Sequence, residues 1–176
     1  TQRRRQAGLT LLEMAIAIAV LAILGSLALP PFAARVSRER LTRAAETLSA
    51  DISQARFLAA REGRALHLRR QAGTDWCWSV SAATVCDCAQ PQVCQIRRVP
   101  AATFTGVALL EASAVELAPD GTAVVSPGIP HLYPAPHPVI ATLQARGGER
   151  LAVQVGPLGR PHICAAVGRV GQYPAC

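Results

Sequence analysis

One long apolar segment near the start of the sequence constrains the fold more than any other feature. It runs from Leu9 to Leu29 and contains a single charged residue, Glu13. As a helix it would extend roughly 31 Å at about 1.5 Å per residue, and a bilayer core is about 30 Å thick. Three arginines, Arg3–Arg5, precede the segment. It is followed by Pro30-Pro31, a pair that can kink or interrupt a helix. The pattern predicts a single-pass membrane helix whose basic end faces the cytoplasm.

Two common explanations of such a segment leave Glu13 unexplained. A secretory signal peptide needs a small-residue cleavage site after its apolar run, and Gly25-Ser26-Leu27-Ala28 is a poor one. A plain signal anchor gives no reason for a carboxylate, whose insertion into an apolar helix costs about 2–3 kcal/mol or more. A carboxylate that reaches back to the cytoplasmic membrane surface is a further alternative.

The residues Gly8-Leu9-Thr10-Leu11-Leu12-Glu13 resemble the processing motif of type IV prepilins, whose usual form is Gly-Phe-Thr-Leu-Ile-Glu. In that family a dedicated prepilin peptidase cuts after the glycine and methylates the new N-terminus. The resemblance implies cleavage between Gly8 and Leu9 and N-methylation of Leu9. It also implies that Glu13 acts in assembly, by pairing with the α-amino group of a neighbouring subunit and so fixing axial register.

The rest of the chain is predicted to form an amphipathic helix and then a series of strands. Residues 33–64 lack proline, and Gly63 is the expected helix end. An apolar stripe recurs at helical spacing: Leu41, Ala45, Leu48, Ile52, Ala55 and Ala59. Short alternating segments predict strands at 65–71, 76–80, 93–99, 107–110, 114–117, 122–125, 139–144, 151–155 and 162–167. The five prolines within 127–138 predict an irregular loop.

These segments define four regions and an α+β fold class. The regions are a leader at 1–8, a transmembrane or assembly helix at 9–31, an amphipathic helix at 32–64 and a β-rich periplasmic domain at 65–176. The expected fold is pilin-like, with a long N-terminal helix packed on a C-terminal antiparallel β-sheet domain. This order of helix and strands resembles that of the GspH/FimT group of minor pilins and pseudopilins. Three stretches support the resemblance: Leu117–Thr122, the strands that begin at Val139 and Leu151, and Gly159–Cys164.

The six cysteines predict disulfides, because an even number in an exported chain is typical of an oxidising compartment. Their positions are Cys77, Cys86, Cys88, Cys94, Cys164 and Cys176. Six cysteines allow 15 pairings, and the clustering favours pairing of the middle four among themselves and of Cys164 with Cys176. A zinc site at Cys86-x-Cys88, with Cys77, Cys94 and His162, is a weaker alternative because the usual Cys-x-x-Cys spacing is missing. A cysteine nucleophile with a histidine base is weaker still, because nothing in the sequence orients such a pair.

The resemblance implies a structural subunit of a type II secretion pseudopilus or a type IV pilus, with no enzymatic activity, metal or cofactor. Its expected partners are other pilin or pseudopilin subunits, the prepilin peptidase and the inner membrane. DNA uptake is the alternative function, because some members of the FimT branch bind DNA through a C-terminal Gly-Arg-x-Arg motif. Here Gly159-Arg160-Pro161-His162 keeps the first arginine and replaces the second, and Arg169 lies nearby in sequence. Arg146 and Arg150 would complete such a patch on a chain of net charge +7.

Overall fold

A computed structural model of the protein describes residues 10–73, 75–125 and 137–176, without the side chains of residues 26–31 and 112. The chain falls into two compact units, one ending at Val36 and the other extending from Ser37 to Cys176. Most of the Pro-rich stretch and the residues before Thr10 lie outside the described part. The predictions made for them, an irregular loop and a leader, stay predictions.

One α-helix, α1, runs from Leu11 to Glu62 and has 52 residues. Pro30 and Pro31 lie within it, so this pair does not interrupt the helix. At the other end Gly63 has φ 64°, and the Arg64 N–H donates to the Ala59 carbonyl at 3.3 Å. This glycine stop confirms the predicted helix end.

Within the described residues, no helix combines the length and the apolar character needed to cross a membrane. Leu9 and the side chains of residues 26–29, which belong to the predicted span, lie outside the described part. The membrane span therefore stays a prediction from the sequence.

The second unit contains two antiparallel sheets. The strands are β1 (Leu66–Gln71), β2 (Cys77–Ser81), β3 (Gln95–Pro100), β4 (Val107–Ala112), β5 (Val115–Leu117), β6 (Ala123–Val125), β7 (Val139–Ala145), β8 (Arg150–Val155) and β9 (Pro161–Ala165). One sheet has the order β3-β2-β1-β5-β6 and the other β4-β7-β8-β9. Every strand predicted from the sequence is present with small shifts in its bounds. The division into two sheets and the 3-10 helix Ala101–Phe104 were not predicted.

The core lies between residues 37–62 of α1 and the two sheets. All six residues of the predicted helical stripe are at most 1% exposed. They join one apolar cluster with Leu66 and Leu68 of β1, Leu143 of β7 and Leu151 of β8. The helix is thus packed on the antiparallel sheet domain, and the pilin-like α+β expectation is confirmed.

Two stacked tryptophans connect the five-stranded sheet to α1 on one side and to strand β4 on the other. The rings of Trp76 and Trp78 lie 5.3 Å apart between centroids with an interplanar angle of 10°. Both side chains are buried, so each indole N–H needs an internal acceptor. The Trp76 Nε1–H donates to the Val107 carbonyl and the Trp78 Nε1–H to the Asp51 carboxylate, each at 2.8 Å. Asp51 on α1 is itself only 6% exposed and forms an ion pair with Arg97 of β3 at 3.3 Å.

Asp51→Leu is expected to destabilise the fold by about 1–3 kcal/mol, because it leaves the buried Trp78 N–H without an acceptor. Asp51→Asn keeps an acceptor oxygen and removes only the attraction to Arg97, whose side chain is 53% exposed, so it should cost less than about 1 kcal/mol. Urea unfolding followed by tryptophan fluorescence measures both. Equal losses of stability in the two variants would show that the negative charge of Asp51, and not its acceptor oxygen, stabilises the fold.

Three disulfides close short loops in the β domain. They join Cys77 to Cys88, Cys86 to Cys94 and Cys164 to Cys176, with Cα–Cα distances of 5.8, 6.2 and 5.0 Å. The pairing predicted from the clustering is therefore confirmed. All six thiols are used, so neither the zinc site nor the cysteine nucleophile has a sulfur available.

The last of these disulfides holds the C-terminal tail against strand β9. The Ala165 N–H donates to the Pro174 carbonyl at 2.7 Å, and the Cys176 N–H donates to the Ala165 carbonyl at 3.0 Å. The Tyr173 hydroxyl also donates to the Glu46 carboxylate of α1 at 2.7 Å. Partial burial and the hydrogen bond to Glu46 raise the pKa of Tyr173 above its ordinary value, which keeps the hydroxyl protonated as a donor.

Candidate functional site

The first turn of α1 carries the residues of the processing motif that the structure describes. Thr10 stands immediately before the helix, and its hydroxyl oxygen accepts the Glu13 N–H at 3.2 Å. The Glu13 carboxylate reaches back to the Thr10 N–H at 3.4 Å. This reciprocal pair is a capping box, which satisfies two backbone donors at a helix start. Glu13 therefore has a local partner that was not predicted from the sequence. Thr-x-x-Glu before an apolar run is the known sequence signature of a capping box.

Gly8 and Leu9, the predicted cleavage and methylation positions, lie outside the described residues. The helix that follows them is apolar on every side, and its large side chains are exposed: Leu11, Leu12, Met14, Ile16, Ile18, Val20, Leu21, Ile23 and Leu24. An amphipathic surface helix would bury one stripe and expose a polar face. Such an all-round apolar surface is typical of a helix that another apolar phase or other helices cover.

Two stretches on which the C-terminal resemblance depends lie together in the structure. The turn at Asp120-Gly121 and the β8–β9 hairpin meet at the Ala123 N–H, which donates to the Pro157 carbonyl at 2.9 Å. Arg56 of α1 reaches into this contact, where its Nε donates to the Gly121 carbonyl at 3.4 Å. We call the contact of Arg56, Gly121 and Gly159 the glycine junction. It fixes where the β8–β9 hairpin, and hence Arg160, lies relative to α1 and the Asp120-Gly121 turn.

The turn on one side of the glycine junction is stiffened by its own side chains. The Asp120 carboxylate accepts the Thr122 hydroxyl at 2.6 Å and the Thr122 N–H at 2.9 Å. The hydroxyl contact, followed by the backbone contact, holds the pKa of Asp120 below its ordinary value, because both favour the carboxylate. The turn is thus preorganised at neutral pH.

Gly159→Ala is expected to destabilise the β domain by about 1–3 kcal/mol, because Gly159 has φ 67° and an added Cβ would lie 2.9 Å from the Gly121 carbonyl oxygen. Gly168→Ala is the matched control, since Gly168 has φ 64° with nothing within 4 Å of the added Cβ. It carries the backbone penalty alone, about 1 kcal/mol. Thermal unfolding compares the two variants, and an equal loss in both would show that the junction tolerates a side chain.

The structure separates Arg160 from Arg169, the two main candidate DNA-contacting arginines. Strand β9 runs antiparallel to β8, with Val155 opposite Pro161 and Leu151 opposite Ala165. Arg160 precedes β9 in the hairpin at one end of the sheet. Arg169 follows β9, at the opposite end, where the Ala166 N–H donates to the Arg150 carbonyl at 3.1 Å. Arg160 is therefore separated from Arg169 by the length of a strand.

The comparisons with known proteins bear on the N-terminal segment. Residues 3–29 match the family model described as the prokaryotic N-terminal methylation motif. The match supports a type IV pilin-like protein that is processed by a prepilin peptidase and assembles with other pilins. Neither the curated proteins nor the solved structures contained a significant match to the chain.

Proposed function

We propose that the chain is a minor pilin or pseudopilin of the GspH/FimT group, a structural subunit of a type II secretion pseudopilus or a type IV pilus. The observation that carries this proposal is the continuity of one helix. The methylation motif at residues 3–29 leads directly into α1, and residues 37–62 of that helix pack on an antiparallel β domain. A processed N-terminal helix joined without a break to a small sheet domain is what such a subunit requires.

The exposed apolar surface of residues 11–24 supports a role in assembly. In our proposal the inner membrane covers this surface before assembly, and the helices of neighbouring subunits cover it afterwards. Arg3–Arg5 would then lie on the cytoplasmic side, and the β domain would lie in the periplasm. The three disulfides fit that compartment, since disulfides persist in oxidising surroundings.

We further propose that the subunit acts by protein contact and has no catalytic activity of its own. The cysteines, which are the strongest nucleophiles in the sequence, are all held in disulfides. The titratable groups with clear contacts make structural ones, such as Asp51 with Trp78 and Glu46 with Tyr173. These contacts join helix to sheet and helix to tail.

Deletion of the coding sequence, followed by complementation, tests the proposed function. We expect sheared surface filaments or secreted proteins to fall, and both to return when the wild-type chain is supplied. Loss of surface filaments with normal secretion assigns a pilus, and the reverse assigns a pseudopilus. Unchanged filaments together with unchanged secretion would contradict the structural role.

DNA uptake is the second candidate function, favoured by one observation: Arg160 is exposed and lies in a hairpin that the glycine junction holds in place. The separation of Arg160 from Arg169 counts against a shared phosphate-binding patch. On the assembly proposal, Arg160→Gln and Arg169→Gln should leave the salt dependence of DNA binding unchanged, as should the control Arg61→Gln on α1. A slope that falls by about 1 for each C-terminal arginine, measured by fluorescence anisotropy over a salt series, would instead support DNA uptake.

A further inference from the structure

A cavity of about 470 Å³ opens on the outer face of the four-stranded sheet, beside the β8–β9 hairpin. Along β8, Leu151, Val153 and Val155 point into the core, whereas Gln154 points to the opposite face and lines the cavity. His162 is the cross-strand neighbour of Gln154 on β9 and lines it as well. The volume lies in the range of small-molecule sites, which is about 300–1,000 Å³.

Gln154 is the feature of the cavity that requires an explanation. The residue is 2% exposed, and its amide nitrogen Nε2 is buried with no hydrogen-bond partner among the described residues. A buried donor without a partner costs about 1–3 kcal/mol. An apolar residue at this buried position would carry no such cost. The terminal torsion of glutamine is soft, so Nε2 can turn towards an acceptor that enters the cavity.

Three other polar side chains line the cavity around Gln154. The side chains of Arg160, His137 and His162 line the cavity and make no hydrogen bond or ion pair with the described parts of the chain. The His137 ring lies over Gly156, where an added Cβ would be 3.5 Å from its Cε1 atom. Among the described side chains that line the cavity, none is acidic. These side chains therefore offer one full positive charge and several donors, which favours an anionic acceptor.

The walls of the cavity restrict which anion fits. Leu158, Pro161 and the Cys164–Cys176 disulfide line it and are apolar. A phosphate with two negative charges would lose much of its hydration against such walls and gain a single guanidinium in return. A carboxylate carries one negative charge, so it loses less hydration free energy in the cavity than phosphate does. Its apolar substituent would cover the apolar walls.

We propose that this cavity binds a carboxylate carried on a small apolar body, with the Arg160 guanidinium and the Gln154 amide as donors to the carboxylate oxygens. A free apolar acid and the C-terminus of a peptide that ends in an apolar residue present the same chemistry. The inference does not depend on the proposed assembly function, because it rests on the cavity alone.

The test uses the full chain in detergent micelles, labelled with nitrogen-15, so that the side-chain amide of Gln154 can be followed by NMR. The probes are 4-methylpentanoate, an acetylated tripeptide that ends in leucine, the same peptide with an amidated C-terminus, and inorganic phosphate. We expect saturable shifts at Gln154 and His162 with a dissociation constant of about 1 mM for the carboxylate peptide. Amidation should weaken binding about tenfold, because it removes the charge-assisted hydrogen bonds.

Gln154→Leu separates binding from folding. It should weaken carboxylate binding about tenfold and leave the thermal midpoint equal or higher, because it removes a buried donor that lacks a partner. For this variant the shifts are read at His162. Gln144→Leu on β7 is the matched control; Gln144 does not line the cavity, so this variant should bind like the wild type.

Tighter binding of the peptide than of 4-methylpentanoate would identify a peptide terminus as the ligand, and equal binding would identify a small apolar acid. The inference is overturned if the amidated peptide binds as well as the carboxylate, or if Gln154→Leu binds like the wild type. It is also overturned if phosphate displaces the peptide, which would reduce the site to an anion patch at Arg160. An absence of saturable shifts up to about 20 mM would equally overturn it.

Discussion

Gly8→Ala is expected to abolish leader removal, so that the chain keeps residues 1–8 and no methyl group is added. The processing motif places the cut directly after this glycine, where the peptidase needs a small and flexible residue. Glycine reaches backbone conformations that a residue with a Cβ atom avoids. Intact-mass measurement on purified membranes distinguishes precursor from product, because the two differ by the whole leader.

Gly25→Ala is the matched control for this experiment. It makes the same chemical change within the same apolar segment, and an added Cβ at Gly25 would have nothing within 4 Å. We expect it to be processed like the wild type. Complete processing of Gly8→Ala would overturn the prepilin reading of the N-terminus, whereas a block in both variants would point to a general failure of insertion.

Glu13→Val is expected to enter the membrane normally but to appear in sheared filaments at about a tenth of the wild-type level or less. Removing the carboxylate makes insertion easier by about 2–3 kcal/mol, so a loss of subunits cannot come from that step. In the proposed filament the carboxylate pairs with the α-amino group of a neighbour. Leaving either charge buried alone costs about 3–5 kcal/mol, which is more than enough for a tenfold loss.

The capping box at the helix start offers a second explanation for Glu13, and two further variants separate the explanations. Thr10→Ala removes the hydroxyl that accepts the Glu13 N–H but keeps the carboxylate charge. Glu13→Gln keeps a side chain that can complete a capping box and removes the charge. If charge pairing drives assembly, Glu13→Gln fails and Thr10→Ala assembles. The opposite result would assign Glu13 to capping its own helix.

The helical part of the fold could be predicted because its signals are local. The stripe from Leu41 to Ala59 repeats at helical spacing, and Gly63 supplies the conformation that ends a helix. The division into two sheets could not be predicted, because it depends on long-range pairing of β1 with β5 and of β4 with β7. Strand alternation indicates which face is buried but not which strand lies alongside.

The candidate site shows the same limit. Arg160 and Arg169 are close in sequence, and only the antiparallel course of β9 reveals that they lie at opposite ends of the sheet. The glycine junction depends on Arg56, which precedes Gly121 by 65 positions. Glu13 is the reverse case, since Thr-x-x-Glu before an apolar run already indicates its capping role in the sequence.

The C-terminal tail has a further consequence for a protein that works among many copies of itself. Strand β9 is an edge of its sheet, and an unprotected edge is a template for pairing with a strand of another molecule. Here the tail takes up hydrogen bonds of Ala165, and the Cys164–Cys176 disulfide keeps it in place. Oxidation therefore does more than stabilise one molecule. It holds the tail over the Ala165 end of this edge, which removes part of a template for strand pairing between closely packed copies.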